Sequence, residues 1–380
     1  MKYKIGIVCH PTYGGSGVVA TELGIALSQS GHEIHFISYN QPFRLDLFSD
    51  NIYYHEVNVP DYPLFEYTPY ELNLTSKIVD VAIHEKLDLM HVHYAIPHAS
   101  SAINAKKILE SYGINLPIVT TLHGTDITLL GKDKSFKPVI EYAINMSDSV
   151  TAVSNSLAQE TYHNFKVHKE INVIPNFIDM SLYQQSFDLK LRNKFATKKE
   201  FILTHISNFR KVKRVLDVIK IFELVSCKAP VKLLMIGDGP DRIKAEQLTR
   251  EMKLENKVKF LGKLKVIEKI LSISDIFILP SQTEIFGLVA LEAMASSNAV
   301  ISTNSGGICE VNIDGYTGFL SNVSDVIKMS NDILKLIDNP AKLNSIKLNA
   351  VDHAKSFSID NVLPKYLMIY NSLCLNQKLN

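Results

Sequence analysis

The feature that most constrains the fold is the alternation of short apolar segments with amphipathic helical patterns along the chain. Segments that are apolar almost throughout are typical of strands buried on both faces of a parallel sheet. The helical patterns between them supply the crossover connections that parallel strands need, so the pattern predicts an α/β fold with doubly wound parallel sheets. The predicted strands are Lys4–Cys9, Glu33–Ser38, Ile52–Val57, Leu89–His93, Ile118–Leu122, Ser149–Ala152, Phe201–Ile206, Val231–Ile236, Val258–Phe260, Ile276–Leu279 and Ala299–Ser302. The predicted helices of the first half are Val18–Ser30, Leu72–His84, Ala99–Tyr112 and Ser156–Phe165.

The strand–helix scheme occurs twice, and 380 residues exceed what one hydrophobic core normally organises. We therefore expect two Rossmann-like domains, residues 1–170 and residues 171–359, followed by a C-terminal helix within residues 360–380. Open α/β sheets bind ligands outside the carboxyl ends of their strands. The segments that follow the predicted strands are therefore where binding residues are expected.

Composition excludes several classes of partner. A net charge of +1 and a hydrophobic content of 46% describe an ordinary globular protein and give no reason to expect nucleic acid or a membrane surface as a partner. No apolar stretch approaches the ~18 residues that span a bilayer, and the N-terminus lacks the apolar core of a signal peptide. The 4 cysteines show no Cys-x-x-Cys pairing and are expected to be reduced thiols. We expect a cytoplasmic protein; a homo-oligomer is left open.

Two glutamates, Glu284 and Glu292, follow the predicted strand Ile276–Leu279 at a spacing of eight residues. If both were helical, they would lie about 12 Å apart along the axis at about 1.5 Å per residue. A glycosidase pair needs its carboxyl groups about 5 to 9.5 Å apart, so this spacing suits such a pair poorly. Two acids at the two ends of a long polar ligand indicate a sugar-nucleotide site. The alternative is two solvated carboxylates, one of them favoured by a helix dipole.

A glycine-rich segment, His10–Gly17, joins the first strand to the first helix. Glycines let the backbone approach a ligand closely, and the new helix offers unpaired N–H groups to an anion. The spacing fits neither the P-loop nor the dinucleotide fingerprint well. Plain tight packing is the alternative interpretation.

A basic cluster follows the strand Phe201–Ile206 and consists of Arg210, Lys211, Lys213 and Arg214. It lies at the carboxyl end of a strand and at the same predicted sheet edge as Glu284, which favours a phosphate-binding role over a solvated patch or a nucleic-acid contact. Arginine and lysine can stabilise the charge of a departing pyrophosphate without a metal ion.

Histidines follow two other strands. His123 comes directly after Ile118–Leu122 and is either a hydrogen-bonded loop residue or a ligand contact. His91 and His93, with His98 beyond them, invite a metal interpretation, but no carboxylate or cysteine completes a ligand set at a recognisable spacing. We predict no metal and no cofactor.

The Glu-x7-Glu pattern, with Leu-Pro-Ser before it and Phe-Gly after Glu284, resembles the retaining glycosyltransferases of family GT4, which have the GT-B fold. The segment Ile171–Ser186 resembles the link between the two domains of that family, with Phe177 in place of a glycine. Ser305–Glu310 resembles its Gly-Gly-x-Pro-Glu motif, with Cys309 in place of proline. The resemblance implies two Rossmann-like domains facing each other across a cleft, and a last helix that crosses back to the first domain.

The resemblance also implies roles for individual residues. The expected catalytic residues are Arg210, Lys213, Glu284 and His123, and the choice between Lys213 and Arg214 stays open because the basic loop is shorter than in the family. The expected donor-binding residues are Gly14, Gly15, Gly237, Gly262, Phe286, Gly287, Leu288 and Glu292. The expected acceptor-binding residues are Ser16, Arg44, Tyr94, Thr120, Thr121 and Asn208.

Within the family, the segments Gly14–Gly17, Thr21–Gly24, Gln41–Leu45 and His93–His98 resemble members that make the first intermediate of bacillithiol. This resemblance implies transfer of N-acetylglucosamine from UDP-GlcNAc to the hydroxyl of L-malate with retention of the α configuration. UDP-GlcNAc is then a substrate rather than a cofactor. Three alternatives stay open: a GT4 enzyme with another acceptor, such as a cell-wall lipid or inositol phosphate, a UDP-sugar epimerase of the same fold, and a non-catalytic sugar-nucleotide sensor.

Overall fold

The computed structural model describes residues 2–12, 14–46, 48–58, 69–129, 131, 133–183 and 187–378. The chain forms two compact units. The first unit contains the residues up to Asn176 together with those from Ile359 onward, and the second contains Phe177–Ser358.

The first unit is built on a parallel sheet of seven strands in the order β3-β2-β1-β4-β5-β6-β7. The strands are β1 (Lys4–Val8), β2 (Glu33–Ser38), β3 (Ile52–Glu56), β4 (Leu89–His93), β5 (Ile118–Leu122), β6 (Ser149–Ala152) and β7 (Ile171–Val173). Its helices before the second unit are α1 (Gly15–Gln29), α2 (Tyr70–Glu85), α3 (Ser100–Ser111), α4 (Lys137–Met146) and α5 (Asn155–Asn164). The strand order changes direction between β1 and β4, which makes that pair the topological switch point.

The second unit is built on a parallel sheet of six strands in the order β10-β9-β8-β11-β12-β13. The strands are β8 (Phe201–Ser207), β9 (Val231–Gly237), β10 (Val258–Gly262), β11 (Ile276–Leu279), β12 (Ala299–Thr303) and β13 (Gly318–Ser321). Its helices are α6 (Met180–Tyr183), α7 (Leu189–Arg192), α8 (Val215–Ser226), α9 (Arg242–Glu251), α10 (Glu268–Leu271), α11 (Leu288–Ala295), α12 (Ile308–Val311), α13 (Val326–Ile337) and α14 (Pro340–Lys355). Here the switch point lies between β8 and β11.

Burial explains the apolar strand segments. Every residue of β5 and every residue of β11 is buried, as expected for central strands covered by helices on both faces. In the second unit, Phe222 of α8 and Met329 of α13 pack in the same core as Leu203 of β8. Fully burying such a side chain contributes about 1.5–3 kcal/mol.

The last helix, α15 (Ile359–Lys378), belongs to the first unit. Tyr366 and Tyr370 of this helix are fully buried. The Tyr370 hydroxyl is hydrogen-bonded to His91 Nδ1 of β4 at 2.7 Å, and the Tyr3 hydroxyl donates to Asn371 Oδ1 at 2.7 Å. These contacts hold the C-terminal helix against the sheet of the first unit.

Two edge strands differ from the sequence-based prediction. Residues 171–186 were expected to form only a link between the domains, but strand β7 lies at their start. Residues 184–186 of this link lie outside the described part of the chain. It has 3 residues with only one buried, so it carries no apolar run. Strand β13 begins at Gly318, where a Cβ would lie 1.7 Å from the Val300 carbonyl oxygen. The position of β13 is therefore set by the close approach of its backbone to β12 and not by an apolar sequence pattern.

None of the helices in the described ranges has both the length and the apolar character needed to cross a bilayer.

Candidate active site

The basic cluster and the first glutamate flank the switch point of the second unit. Arg210 and Lys213 follow β8, and Glu284 follows β11, the neighbouring strand on the other side of the switch. Carboxyl ends of parallel strands meet at one edge of the sheet, where open α/β sheets hold ligands. The topology therefore brings together the residues that the sequence predicted to act together.

Glu284 is nearly buried, with 7% of its surface exposed. Its Oε1 accepts hydrogen bonds from Lys213 Nζ at 2.7 Å and from Ser281 Oγ at 2.6 Å. A buried carboxylate needs such partners, because an unpaired charge in a low-dielectric environment is strongly unfavourable. The contacts also fix the direction in which the carboxylate points.

Glu284 is not helical, so its separation from Glu292 is not set by helical rise. Its backbone N–H donates to the Ser305 oxygen at 3.2 Å, and its carbonyl accepts from Gly307 N–H at 2.7 Å. Helix α11 begins only at Leu288, after Gly287 with φ 90°. A positive φ is easy for glycine and strained for other residues, so Gly287 ends the loop before the helix can start.

Glu292 lies on α11 and is 8% exposed. Its Oε1 accepts a hydrogen bond from the Tyr183 hydroxyl of α6 at 2.8 Å. Sequence reasoning missed Tyr183, because a single tyrosine far along the chain gives no local signal. The hydroxyl holds the second glutamate in a fixed direction, as Lys213 and Ser281 hold the first.

The four cations of the basic cluster differ in their partners. Arg210 is exposed, and its side chain makes no hydrogen bond or ion pair with any residue in the described part of the chain. Lys213 pairs with Glu284, whereas Arg214 Nε donates to Asp217 Oδ2 at 2.6 Å at the start of α8. The structure thus places Lys213, and not Arg214, beside the glutamate.

The other predicted donor residues divide into packed and open positions. Gly237 ends β9 with φ 121°, and a Cβ there would lie 1.8 Å from the Ser207 oxygen, so it is a packing glycine. Gly262 ends β10 with φ 68°, and the nearest atom to an added Cβ is Arg242 Nη1 at 3.7 Å, which leaves room for a ligand. Asn208, a predicted acceptor-binding residue beyond β8, is exposed.

Phe286 and Leu288 differ in the groups that they expose to a ligand. The Phe286 ring is 3% exposed and packs edge-on against Phe357 with centroids 5.8 Å apart, so the ring belongs to the core and only its backbone can contact a ligand. Leu288 is the first residue of α11, where the N–H groups of the first turn lack helical acceptors. These N–H groups suit an anionic ligand.

In the first unit, the segments after β1 and β4 flank the switch point. Gly14 precedes α1, and Gly15 and Ser16 form its first turn; Tyr13, also in the glycine-rich segment, lies outside the described residues. The Tyr94 hydroxyl donates to Ser16 Oγ at 2.6 Å. Two residues 78 positions apart in sequence therefore lie side by side at the carboxyl edge of this sheet.

His123 follows β5 and is 8% exposed. Its Nε2 is hydrogen-bonded to His93 Nδ1 at 2.7 Å. Burial lowers the pKa of His123 to about 3, so the imidazole is neutral at physiological pH. A neutral ring can donate or accept a hydrogen bond at a sugar hydroxyl without bringing a charge.

Asp126 is buried in the turn that follows His123. Its Oδ2 accepts from Ala95 N–H at 2.6 Å and its Oδ1 from Gly124 N–H at 3.3 Å. Burial raises the pKa of Asp126 to about 6, and these backbone hydrogen bonds oppose that rise. The carboxylate thus joins the turn after β5 to the turn after β4.

His93 and His98 were considered in the sequence only as possible metal ligands. Both are fully buried, and within the described ranges neither Nε2 atom has a hydrogen-bond partner. His93 contacts His123, and His98 Nδ1 is hydrogen-bonded to the His93 carbonyl oxygen at 2.5 Å. The strand register could have shown the first contact, because β4 and β5 pair in parallel with His93 opposite Thr121.

Three predicted acceptor residues are already engaged elsewhere. Thr120 and Thr121 of β5 are fully buried, and their hydroxyls are hydrogen-bonded to Ser147 and Thr151, each at 2.7 Å. Their side chains are engaged within the sheet, because both faces of a central strand are covered, and contact with an acceptor stays a prediction for both. Arg44 Nη1 forms an ion pair with Glu22 Oε1 at 2.5 Å, so its charge is compensated within the first unit.

Two family models match the chain, one in each half. The model described as Glycosyltransferase Family 4 matches residues 13–182, and the model described as Glycosyl transferases group 1 matches residues 187–353.

A relative from Bacillus anthracis, N-acetyl-alpha-D-glucosaminyl L-malate synthase, is 44% identical over 380 residues, which is 100% of this chain and 99% of the relative. A crystal structure of a glycosyltransferase from Rickettsia africae has a TM-score of 0.81 at 23% identity and covers 98% of each chain. The Anabaena protein HepE in complex with UDP and glucose has a TM-score of 0.82 at 22% identity, covering 97% of this chain and all of that one.

The structural likenesses confirm the predicted fold class, GT-B with two doubly wound parallel sheets. The identity to the Bacillus anthracis relative extends over both units, and both family models describe glycosyltransferases. The chain is therefore a glycosyltransferase and belongs to family GT4.

Proposed function

We propose that this enzyme transfers N-acetylglucosamine from UDP-GlcNAc to the hydroxyl of L-malate, with retention of the α configuration. The reaction would be the first step of bacillithiol biosynthesis and would take place in the cytoplasm. The observation that carries the proposal is the 44% identity, over the whole chain, to a synthase named for this product. Identity over the first unit matters most, because that unit is expected to select the acceptor.

The donor would be held by the second unit. In this proposal Glu284 contacts the donor sugar, Glu292 holds the ribose hydroxyls, and Arg210 and Lys213 bind the diphosphate. The fixed directions of both carboxylates support these roles. The guanidinium of Arg210 is exposed and has no partner among the residues that the structure describes, which supports the phosphate role, since arginine presents a planar fork of donors to phosphate oxygens.

Backbone groups would complete the donor site. The N–H groups at Gly14 and Gly15 and those at Gly287 and Leu288 open α1 and α11, where the positive end of the helix dipole favours an anion. His123 would hydrogen-bond a sugar hydroxyl as a neutral imidazole.

Malate is a small dianion with one hydroxyl, so its site needs cations or neutral donors. Ser16 and Tyr94 offer two adjacent hydroxyls, and Asn208 offers an exposed amide. Arg44 is a cation of the first unit and would have to exchange Glu22 for a malate carboxylate. This exchange would exclude acceptors without a carboxylate in that position.

For the chemical step we propose a same-face displacement. The bond between the anomeric carbon and the phosphate oxygen breaks, and the malate hydroxyl oxygen bonds to that carbon from the same face. The hydroxyl proton passes to the departing phosphate oxygen. Arg210 and Lys213 stabilise the charge that grows on the diphosphate, so no divalent metal is needed for the step.

The proposal is tested by measuring UDP release from UDP-GlcNAc with and without L-malate in EDTA, followed by mass spectrometry of the product. Succinate, which has both carboxylates but no hydroxyl, is the matched control acceptor. We expect malate-dependent release and a GlcNAc–malate mass, and no transfer product with succinate.

Equal release with and without malate, or a product mass with a different acceptor only, would overturn the assigned acceptor. Loss of activity in EDTA with recovery on adding Mg²⁺ would overturn the metal-free step. A side-chain base whose removal abolishes turnover with donor affinity unchanged would overturn the same-face mechanism.

A further inference from the structure

A second cluster of ligating side chains lies in the first unit, away from the strand ends described above. It consists of His35 on β2, His55 on β3 and Glu85 at the end of α2, and we call it the β2–β3 cluster. One nitrogen or oxygen of each residue lies within 4.8 Å of the corresponding atoms of the other two. Two imidazoles and one carboxylate form a ligand set that binds zinc-class ions in proteins.

Strand register brings the two histidines together. In the parallel pair β2–β3, His35 lies opposite Tyr53 and His55 lies opposite Ile37. Residues two apart in a strand point to the same face, so both histidines share one face of this pair. His35 Nδ1 and His55 Nε2 are 2.9 Å apart.

The carboxylate of Glu33 orients the His35 ring through Nε2, the ring nitrogen that does not face His55. Glu33 Oε1 lies 3.0 Å from His35 Nε2 and also accepts from Lys4 Nζ at 2.6 Å. When Nε2–H donates to Glu33, the lone pair of His35 is left on Nδ1, the atom that faces His55. A carboxylate on the outer nitrogen of a ligating histidine is the usual support of a metal site.

The three residues of the cluster differ in their exposure to solvent. His35 is fully buried, whereas His55 and Glu85 are half-buried. The Glu85 side chain forms no hydrogen bond or ion pair with any residue that the structure describes, so its carboxylate is available to a ligand. Solvent can therefore reach the cluster from the side of Glu85 and His55 and supply a water as the fourth ligand.

We propose that the β2–β3 cluster binds one divalent transition-metal ion of the zinc class through His35 Nδ1, His55 Nε2 and the Glu85 carboxylate. With Zn–N bonds of about 2.0–2.1 Å and a tetrahedral angle, the two nitrogens must open to about 3.3 Å, a small movement for a half-exposed ring. The ion would tie the edge strand β3 to α2.

The site is structural rather than catalytic. His35 and His55 lie within β2 and the edge strand β3, and Glu85 ends α2, so no member of the cluster follows the carboxyl end of a strand. Ser16 and Tyr94, by contrast, follow the carboxyl ends of β1 and β4. Metal occupancy is therefore expected to change stability and to leave sugar transfer intact.

The test uses the full chain after removal of metal by a chelator. Co²⁺ is titrated in and followed by its visible absorption, and Zn²⁺ is then added to displace it. The variants are His55→Gln and Glu85→Gln, and the matched control is His84→Gln, an exposed neighbour of Glu85 on the same helix.

We expect one Co²⁺ equivalent with imidazole ligation, displaced by Zn²⁺, in the wild type and in H84Q. Even loss of a supporting carboxylate weakens metal sites by about 10–100-fold, so each ligand variant should lose at least about tenfold in affinity. Zn²⁺ should raise the melting temperature of the wild type and H84Q only.

Equal affinity in H55Q, E85Q and the wild type would overturn the assignment, and so would a wild type that shows no bound Co²⁺. Should H55Q fail to fold, E85Q decides the question, because the half-buried Glu85 side chain has no hydrogen bond or ion pair in the described ranges that the substitution would remove. The readouts are independent of UDP release, so this proposal and the proposed function can fail separately.

Discussion

Lys213 Nζ lies 2.7 Å from Glu284 Oε1, and this ion pair joins the segment after β8 to the segment after β11 across the switch point of the second unit. The lysine side chain is 21% exposed and the glutamate side chain 9%. Each charge compensates the other in a partly buried place, and each still has capacity for a ligand: two N–H groups on the lysine and the second oxygen of the glutamate. The lysine N–H groups are therefore already positioned to bind a phosphate, and the glutamate oxygen is positioned to bind a sugar hydroxyl.

Removing the lysine should reduce the rate of transfer. We expect Lys213→Gln to lower kcat by about 10²–10³, the loss typical when one donor to a developing charge is removed. The control is Lys211→Gln, which makes the same change of charge at an exposed lysine of the same cluster. Steady-state UDP release measures both variants, and equal losses would show that only the general charge of the cluster matters.

Gly306 holds the backbone of Glu284 in place. Its φ is 83°, and a Cβ there would lie 2.2 Å from the Glu284 carbonyl oxygen. Gly306→Ala must therefore displace the glutamate, and we expect a kcat loss of about tenfold or more, because small misplacements at a reacting centre are costly.

Gly315→Ala is the matched control for Gly306. Gly315 also has a positive φ, 72°, but an added Cβ would meet no atom within 4 Å. Both variants carry the same backbone strain of about 1–2 kcal/mol, and only the first has the clash. Comparable kcat values in the two variants would mean that strain alone, and not the position of Glu284, matters.

Much of the fold could be predicted from the sequence, because central parallel strands carry an unbroken apolar signal. The predicted bounds of β2, β4 and β11 are those of the structure. The edge strands β7 and β13 have no such signal, since half of an edge strand faces away from the core. They are placed by backbone pairing, which a local pattern does not contain.

The site could be predicted only in part, because a sequence gives residue types and strand ends but not side-chain partners. The position of Lys213 beside Glu284 follows from strand topology, and the sequence indicated it. Thr120 and Thr121 precede the end of β5 by only two residues and one residue, yet both are buried. Tyr183 carries no motif and became visible only through its contact with Glu292.

The buried histidines of the first unit should make the protein less stable in mild acid. Burial lowers the pKa of His91, His98 and His123 to about 3 and that of His93 well below its ordinary value. Below about pH 6.5 the unfolded chain therefore binds protons that the folded protein does not bind. For each such proton, the free energy of unfolding falls by about 1.4 kcal/mol per pH unit as the pH is lowered.

Asp126 acts in the opposite direction. Its folded pKa is raised to about 6 from 3.8, so between these values the folded protein holds a proton that the unfolded chain has lost, and stability is gained as the pH falls. One opposing group does not balance four histidines. We expect the urea midpoint to be lower at about pH 5.5 than at about pH 7.5, and an equal or higher midpoint would show that the histidines are protonated in the folded state.

The hydrogen bond between Tyr370 and His91 should contribute to the attachment of α15. Tyr370→Phe leaves a buried imidazole nitrogen without its partner, which costs about 1–3 kcal/mol. Met368→Ala, on the same helix with 65% of the methionine exposed, is the control and should change stability by less than about 0.5 kcal/mol. Urea unfolding measures both, and equal midpoints in the two variants would contradict a stabilising role for this hydrogen bond.

Ser16 and Tyr94 should act on the acceptor as a pair. Because the tyrosine hydroxyl donates to Ser16 Oγ at 2.6 Å, each hydroxyl orients the other, and removing either one disturbs both. We expect Ser16→Ala and Tyr94→Phe each to raise the KM for malate while the KM for UDP-GlcNAc stays unchanged. The double variant should be little worse than either single variant, with a coupling of about 0.5–3 kcal/mol as found for residues in direct contact. Independent, multiplicative effects would show that the two hydroxyls do not serve one acceptor group, and a change in the KM for UDP-GlcNAc alone would assign the pair to the donor instead.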